Sequence, residues 1–288
     1  MQIREVLDIF QLQLRANGRS VNTRQQYSRH IRLLESWLVG TGRSTEIDQI
    51  DHVAVAEFLT SPVVREKRWG GPRKPTSTNG VRSSLRSFFS WARDAGYSAR
   101  NAAALVRRAR CAPVMQRTLS PDDVKRLEYV LATAQGAEAE RDRIMFGVAL
   151  GCGLRVGSLA GLCAEDVAGG EILVRQAKGE APTRVFVPRT LRPLLDRYVE
   201  ARSGPLFTGP NGRPLTTRHI ARRLRYWCEQ ARIEPVSPHG LRRTFGTRLY
   251  QACGDPLVVQ RGLGHRSLLS TLAYVGGVEE RLREALGA

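Results

Sequence analysis

Apolar positions recur along most of the chain at helical spacing, with one β-prone interruption. In TRQQYSRHIRLLESWL, residues 23–38, Tyr27, Ile31, Leu34, Trp37 and Leu38 fall three or four apart and form a single stripe. Thr23 stands where an N-cap is expected. VAVAEFL, residues 53–59, continues the pattern. The stretch SPVVREKRWGGPRKPTSTNG, residues 61–80, breaks it with glycine, proline and basic side chains and predicts a mobile basic loop. VRSSLRSFFSWARDAG then places Leu85, Phe88, Phe89 and Ala92 on one face, with Gly96 as its stop. Arg82, Arg86 and Arg93 lie largely off that face.

A second organisation begins further on. Residues 107–117 have weak periodicity, a proline and several arginines, and predict a linker between a first domain over 1–106 and a second over 118–288. LSPDD opens the second domain with Ser120 as cap, Pro121 at the first helical position and two aspartates at the positive end of the helix dipole. RDRIMFGVALGCGL predicts a buried helix running into glycines. EILV and VFV, joined by a Gly- and Pro-containing stretch, predict a hairpin or small sheet. Helices resume in LRPLLDRYVEAR, TTRHIARRLRYWCEQARI and SPHGLRRTFGTRLYQACG. The fold class expected is mostly α with a small antiparallel β-sheet (α+β).

Length and composition fit this picture. The 288 residues suffice for about two domains, and 42% hydrophobic residues supply their cores. No apolar run reaches the ~18 residues of a membrane span, and the N-terminus lacks a signal-type core, so no membrane partner is expected. Five cysteines at irregular spacing, with no CxxC pair, suggest a reducing cytoplasm. The net charge of +18 changes the picture most. Residues 1–110 hold 19 basic and 9 acidic residues, and the remainder holds 26 and 18, so both halves are basic. A polyanion touching both halves, most simply nucleic acid, fits this distribution. Arginine supplies all but four of the 45 cations, however, and a GC-rich genome would favour arginine without any binding role.

Several side chains are candidates for chemistry. His239 and Arg242 are three apart at a predicted helix start and share a face. A guanidinium fork suits a phosphate and an imidazole can move a proton near neutral pH, although an incidental surface pair has the same spacing. Arg155 is a lone cation among glycines and apolar residues, and an unpaired buried charge is costly. Its partner is either an acid near Asp142, Glu165 or Asp166, or a ligand anion. Lys178 falls in the predicted hairpin tip and, unlike arginine, can release a proton as a general acid. LGHRSLLSTLAY, residues 263–274, reads equally as an amphipathic helix or as a nucleophile and helper group sent to one site. No HExxH, GxSxG, Walker or GxGxxG pattern occurs, and His239 and His265 lack metal-ligand spacing.

In order, Arg155, Lys178, His239-x-x-Arg242, His265 and Tyr274 resemble the tyrosine recombinase (phage integrase, Xer-like) family. GLRVGSLAGL is similar to its arginine box, the Lys178 hairpin to its β-hairpin lysine, HGLRRTFGTRL to its HxLRHTFAT-type helix, and LGHRSLLSTLAY to its LGH…Y segment. Arg243 replaces the second histidine, and Ser158 stands where the family often has an acid. The segments 23–38 and 83–103 resemble its SAM-like helical core-binding domain. The resemblance implies a simple form without an arm-binding domain.

What the resemblance implies is metal-free, ATP-free and cofactor-free exchange of phosphodiesters on double-stranded DNA core sites. Tyr274 would attack and form a 3′-phosphotyrosyl link. Arg155 and Arg242 would hold non-bridging oxygens, Lys178 would protonate the leaving 5′-oxygen, His239 would manage the tyrosine proton, and His265 would donate to the phosphate. Arg82, Arg86 and Arg243 are candidate DNA contacts. The tail, residues 275–288, has Val278, Leu282 and Leu286 at four-residue spacing. It would dock on a neighbour in a homotetramer on synapsed DNA, with the free protein a monomer or weak oligomer. Phage or mobile-element integration and excision is the expected role. The alternatives are type IB topoisomerase-like relaxation and a DNA-binding regulator with decayed chemistry.

Overall fold

A computed structural model describes the chain except for residues 68, 112–116, 176–181, 201, 266, 269–270, 272–282, 284–285 and 287–288. It divides into two compact units, Met1–Val114 and Met115–Ala288. Both together are mostly α-helical with one small antiparallel sheet, the α+β class expected.

The first unit is built from α1 (Ile3–Ala16), α2 (Val21–Gly40), α3 (His52–Thr60), the one-turn α4 (Pro62–Arg65) and α5 (Pro75–Asp94). Ile31, Leu34 and Leu38 of α2 meet Leu85, Phe88 and Phe89 of α5 in a single core with Phe10 of α1. Phe10 packs edge-on against Phe88 at 5.4 Å. Two local expectations are corrected. The cap of α2 is Ser20, which accepts from the Thr23 amide at 3.2 Å, so the helix starts before Thr23. The span 61–80 is largely ordered: α4 forms in it, and α5 begins at Pro75 rather than Val81. Its polar first turns hold because Pro75 occupies the first helical turn, and because Asn79 bonds the amide and carbonyl of Ala109 at 2.8 and 2.9 Å.

The second unit opens with α6 (Pro121–Thr133), capped reciprocally by Ser120 and Asp123. α7 (Ala137–Cys152) is buried along most of its length. The short α8 (Val156–Ala160) follows, then β1 (Val167–Ala168), β2 (Glu171–Val174) and β3 (Thr183–Phe186) in sheet order β1-β2-β3. Ile172 lies opposite Val167 and Val185, which turns Ile172 and Val174 towards the core. α9 (Arg192–Glu200), α10 (Thr217–Gln230), α11 (Pro238–Cys253) and α12 (Pro256–Leu263) complete the unit. Buried Asp142 of α7 accepts from Arg141, from Arg223 and from Trp227 Nε1, which ties α7 to α10. No described helix is long and apolar enough to cross a membrane.

Candidate active site

Three helix termini meet around one electropositive point. The first is the bend between α7 and α8. Gly153 ends α7 in the left-handed conformation (φ +62°), which only glycine adopts without strain, and Arg155 occupies the cap of α8. Arg155 is exposed, which corrects the expectation of a buried charge. It donates to the Gly264 carbonyl at 3.3 Å. The acids nearest in sequence are engaged elsewhere: Asp142 as above, Glu165 with the Gly204 amide, and Asp166 with Arg175.

The second terminus is the start of α11. Ser237 caps it by accepting from the Gly240 amide at 3.1 Å, with Pro238 in the first turn. Gly240 must be glycine, because a Cβ there would lie 2.2 Å from Val236 and 2.7 Å from the Arg117 carbonyl. This close approach, with the bond from the Leu119 amide to Thr244 Oγ1 (2.9 Å), fixes the helix start. Arg242 is buried and donates to the carbonyls of Gly153, at 2.8 Å, and Leu263. Backbone thus holds a guanidinium that the local sequence could not have kept buried on its own. His239 stands at the exposed rim.

The third terminus is the end of α12, where Gly264 again turns left-handed (φ +59°). The His265 amide donates to the Gln260 carbonyl at 3.0 Å, and Gln260 Nε2 returns a bond to the His265 carbonyl at 3.1 Å. His265 Nδ1 lies 3.1 Å from the hydroxyl of buried Thr271. Partial burial, then Arg242, Arg155 and His239, lowers the His265 pKa to about 4, so the ring is neutral at pH 7. Desolvation, then Arg242, Arg243 and Arg155, also lowers His239. Arg155 and Arg242 reach the carbonyls of Gly264 and Leu263 just before His265, and His239 lies one turn from Arg242 on α11, so the four side chains gather at one place. Arg243 is half-buried beside them. Lys178 and Tyr274 lie outside the described residues, as does most of the tail. Gln260 and Thr271 were not anticipated. Their only sequence signal is a glutamine beside Arg261 on a short, mostly apolar helix and a threonine six residues past His265. An apolar hollow of about 740 Å³ opens beside Arg155 and Arg242, walled by Phe245, Leu249, Val258 and Leu263.

Residues 117–280 match the phage integrase family, and residues 7–96 match the phage integrase N-terminal SAM-like domain. The chain belongs to the phage integrase family. It is an enzyme of the tyrosine recombinase class. It is 32% identical over 282 residues to tyrosine recombinase XerC of Mycobacterium leprae, across 92% of both chains. It is also 32% identical to tyrosine recombinase XerC of Serratia marcescens over 201 residues, 67% of this chain but 65% of that one. Its fold resembles the Tn1549 transposon integrase solved with transposon right end DNA, at a TM-score of 0.75, 20% identity and full coverage of both chains.

Proposed function

We propose that the recombinase cuts and rejoins duplex DNA through a 3′-phosphotyrosyl intermediate. One observation carries the reading: two guanidiniums and two imidazoles of lowered pKa gather at one point, and every side chain whose charge perturbs His265 is basic. Such a site gains most from an anion whose charge grows as it reacts, which a phosphodiester does under attack. Arg155 and Arg242 would hold the non-bridging oxygens. The Gly153 and Leu263 carbonyls aim the Arg242 fork, leaving its position independent of the ligand. A neutral His265 can donate through Nε2 if Nδ1 accepts from Thr271, so that hydroxyl selects the useful tautomer. His239, at the rim with its pKa lowered by desolvation and the neighbouring arginines, can take the proton of Tyr274, and Lys178 can give one to the departing 5′-oxygen. One phosphodiester replaces another, so no energy source is required.

The tail, residues 275–288, would engage a neighbouring protomer in a synaptic tetramer on core-type sites. Both relatives named above carry Xer names, which favours Xer-type resolution over integration of a viral genome. Tyr274→Phe tests the chemistry. On a nicked suicide duplex the covalent protein–DNA adduct should vanish while DNA affinity stays within about threefold. An adduct of equal yield in the variant would remove Tyr274 as nucleophile.

A further inference from the structure

The insertion between α4 and α5 forms a tight turn that holds an indole out in solvent. Glu66 and Pro72 pair across its base. The Lys67 amide bonds the Gly71 carbonyl at 2.9 Å, and the Gly70 amide bonds the Lys67 carbonyl at 3.0 Å. Arg73 closes the base through its amide to the Arg65 carbonyl (2.7 Å) and its Nε to the Glu66 carbonyl (2.6 Å). Gly70 and Gly71 both have positive φ (+89° and +79°), so the reversal depends on glycine. Trp69 sits at the tip and is 90% exposed, the most exposed large hydrophobic side chain among the described residues. The chain's other tryptophans pack against its cores: Trp37 and Trp91 in the first unit, Trp227 in the second.

The turn is ringed by cations. Lys67, Arg65 and Lys74 are exposed and Arg73 is half-buried, with Glu66 the acid among them. Arg65 acts electrostatically on Arg82 of α5, and Arg73 on His30 of α2, so the charged ring extends onto both helices. Like charges gathered this closely oppose folding unless an anion offsets them. A flat apolar ring inside such a ring of cations matches the surface of nucleic acid, where phosphates flank exposed sugar and base edges. An apolar protein partner would not offset the charge.

We propose that the 65–74 turn is a DNA-gripping element in which Trp69 enters a groove of duplex DNA while Arg65, Lys67 and Arg73 hold the flanking phosphates. This rests on the reading of the chain as a DNA recombinase, and adds a contact outside the site of chemistry. A mixed-sequence 40-base-pair duplex at fixed salt serves as the probe, with the full chain and Trp69→Ala compared. DNA should reduce acrylamide quenching of tryptophan emission by about twofold in the natural chain and leave the variant's emission unchanged. Trp69→Ala should raise the Kd by at least about fivefold, the low end of what a lost aromatic contact with a base costs. Because the side chain is exposed, the variant should melt within a degree or two of the natural chain. DNA binding that leaves Trp69 fully quenchable overturns the proposal alone. Shielding that follows protein concentration in the absence of DNA also overturns it, in favour of contact between protein copies. A natural chain that does not bind duplex at all overturns the recombinase reading, and this proposal with it.

Discussion

Gly153 serves the backbone and the site at once. Its left-handed φ of +62° ends α7, and an added Cβ would lie 2.2 Å from the Phe245 ring. Its carbonyl also aims Arg242. Gly153→Ala combines left-handed strain with overpacking and is expected to destabilise by roughly 2–4 kcal/mol. Adduct formation should fall further than stability alone explains, because Arg242 moves with the carbonyl. Gly157, four residues on, has open space at its Cβ and ordinary helical φ, so Gly157→Ala should be neutral or stabilise by up to about 1 kcal/mol. Denaturant titration beside suicide-substrate kinetics separates the two variants. Equal losses would show that the bend does not depend on Gly153. At this scale the sequence was informative about identity and poor on environment. The motif spacing named Arg155 and Arg242, but which of the two is buried depends on carbonyls 89 and 21 residues from Arg242, which no local pattern carries.

Between elements, α2 and α5 share a buried imidazole. His30 Nδ1 lies 2.8 Å from Ser84 Oγ, and burial, with Arg29 and Arg73 behind it, lowers its pKa to about 4 against the backbone bond of Gly80. From about pH 6.5 down to 4 the unfolded chain binds the proton that the folded chain refuses. Stability therefore rises with pH across that window and falls on acidification. The loss attributable to His30 should reach on the order of 2 kcal/mol by pH 4.5. His265 adds a change of the same sign, so the test is a difference. His30→Gln should flatten the stability profile of the full chain between pH 6.5 and 4.5, and an identical slope would mean that His30 titrates freely. The long helices were legible because each carries a stripe of several apolar residues, as α5 does with Leu85, Phe88, Phe89 and Ala92. α4, α8 and α12 were not, because four to eight residues hold too few turns for a period to register. The start of α5 was missed for a different reason: its polar first turns are secured by Asn79 reaching Ala109, thirty residues away.

Across the whole molecule, +18 spread over both halves sets how the recombinase meets DNA. Neutralising phosphates releases counterions, so affinity for mixed-sequence duplex should fall steeply with salt, by about 10³–10⁵ between 50 and 200 mM if 6–10 phosphates are held. Arg82 and Arg86 lie on α5 off its buried stripe, Arg86 exposed and Arg82 tethered to Thr78 Oγ1 at 2.7 Å. The tethered Arg82 loses little freedom on binding and the exposed Arg86 is open to a phosphate, so each should count as one phosphate contact. Replacing both with glutamine should make the slope of log affinity against log salt shallower by about 2, since each contact contributes roughly 0.9. Anisotropy titrations at four salt concentrations measure this directly. The slope, unlike a single Kd, does not respond to a small loss of folded protein, because that loss shifts every point equally. A slope unchanged in the double variant would take α5 off the DNA surface. The first unit's charge would then act through the 65–74 turn, and its variants would carry the missing slope.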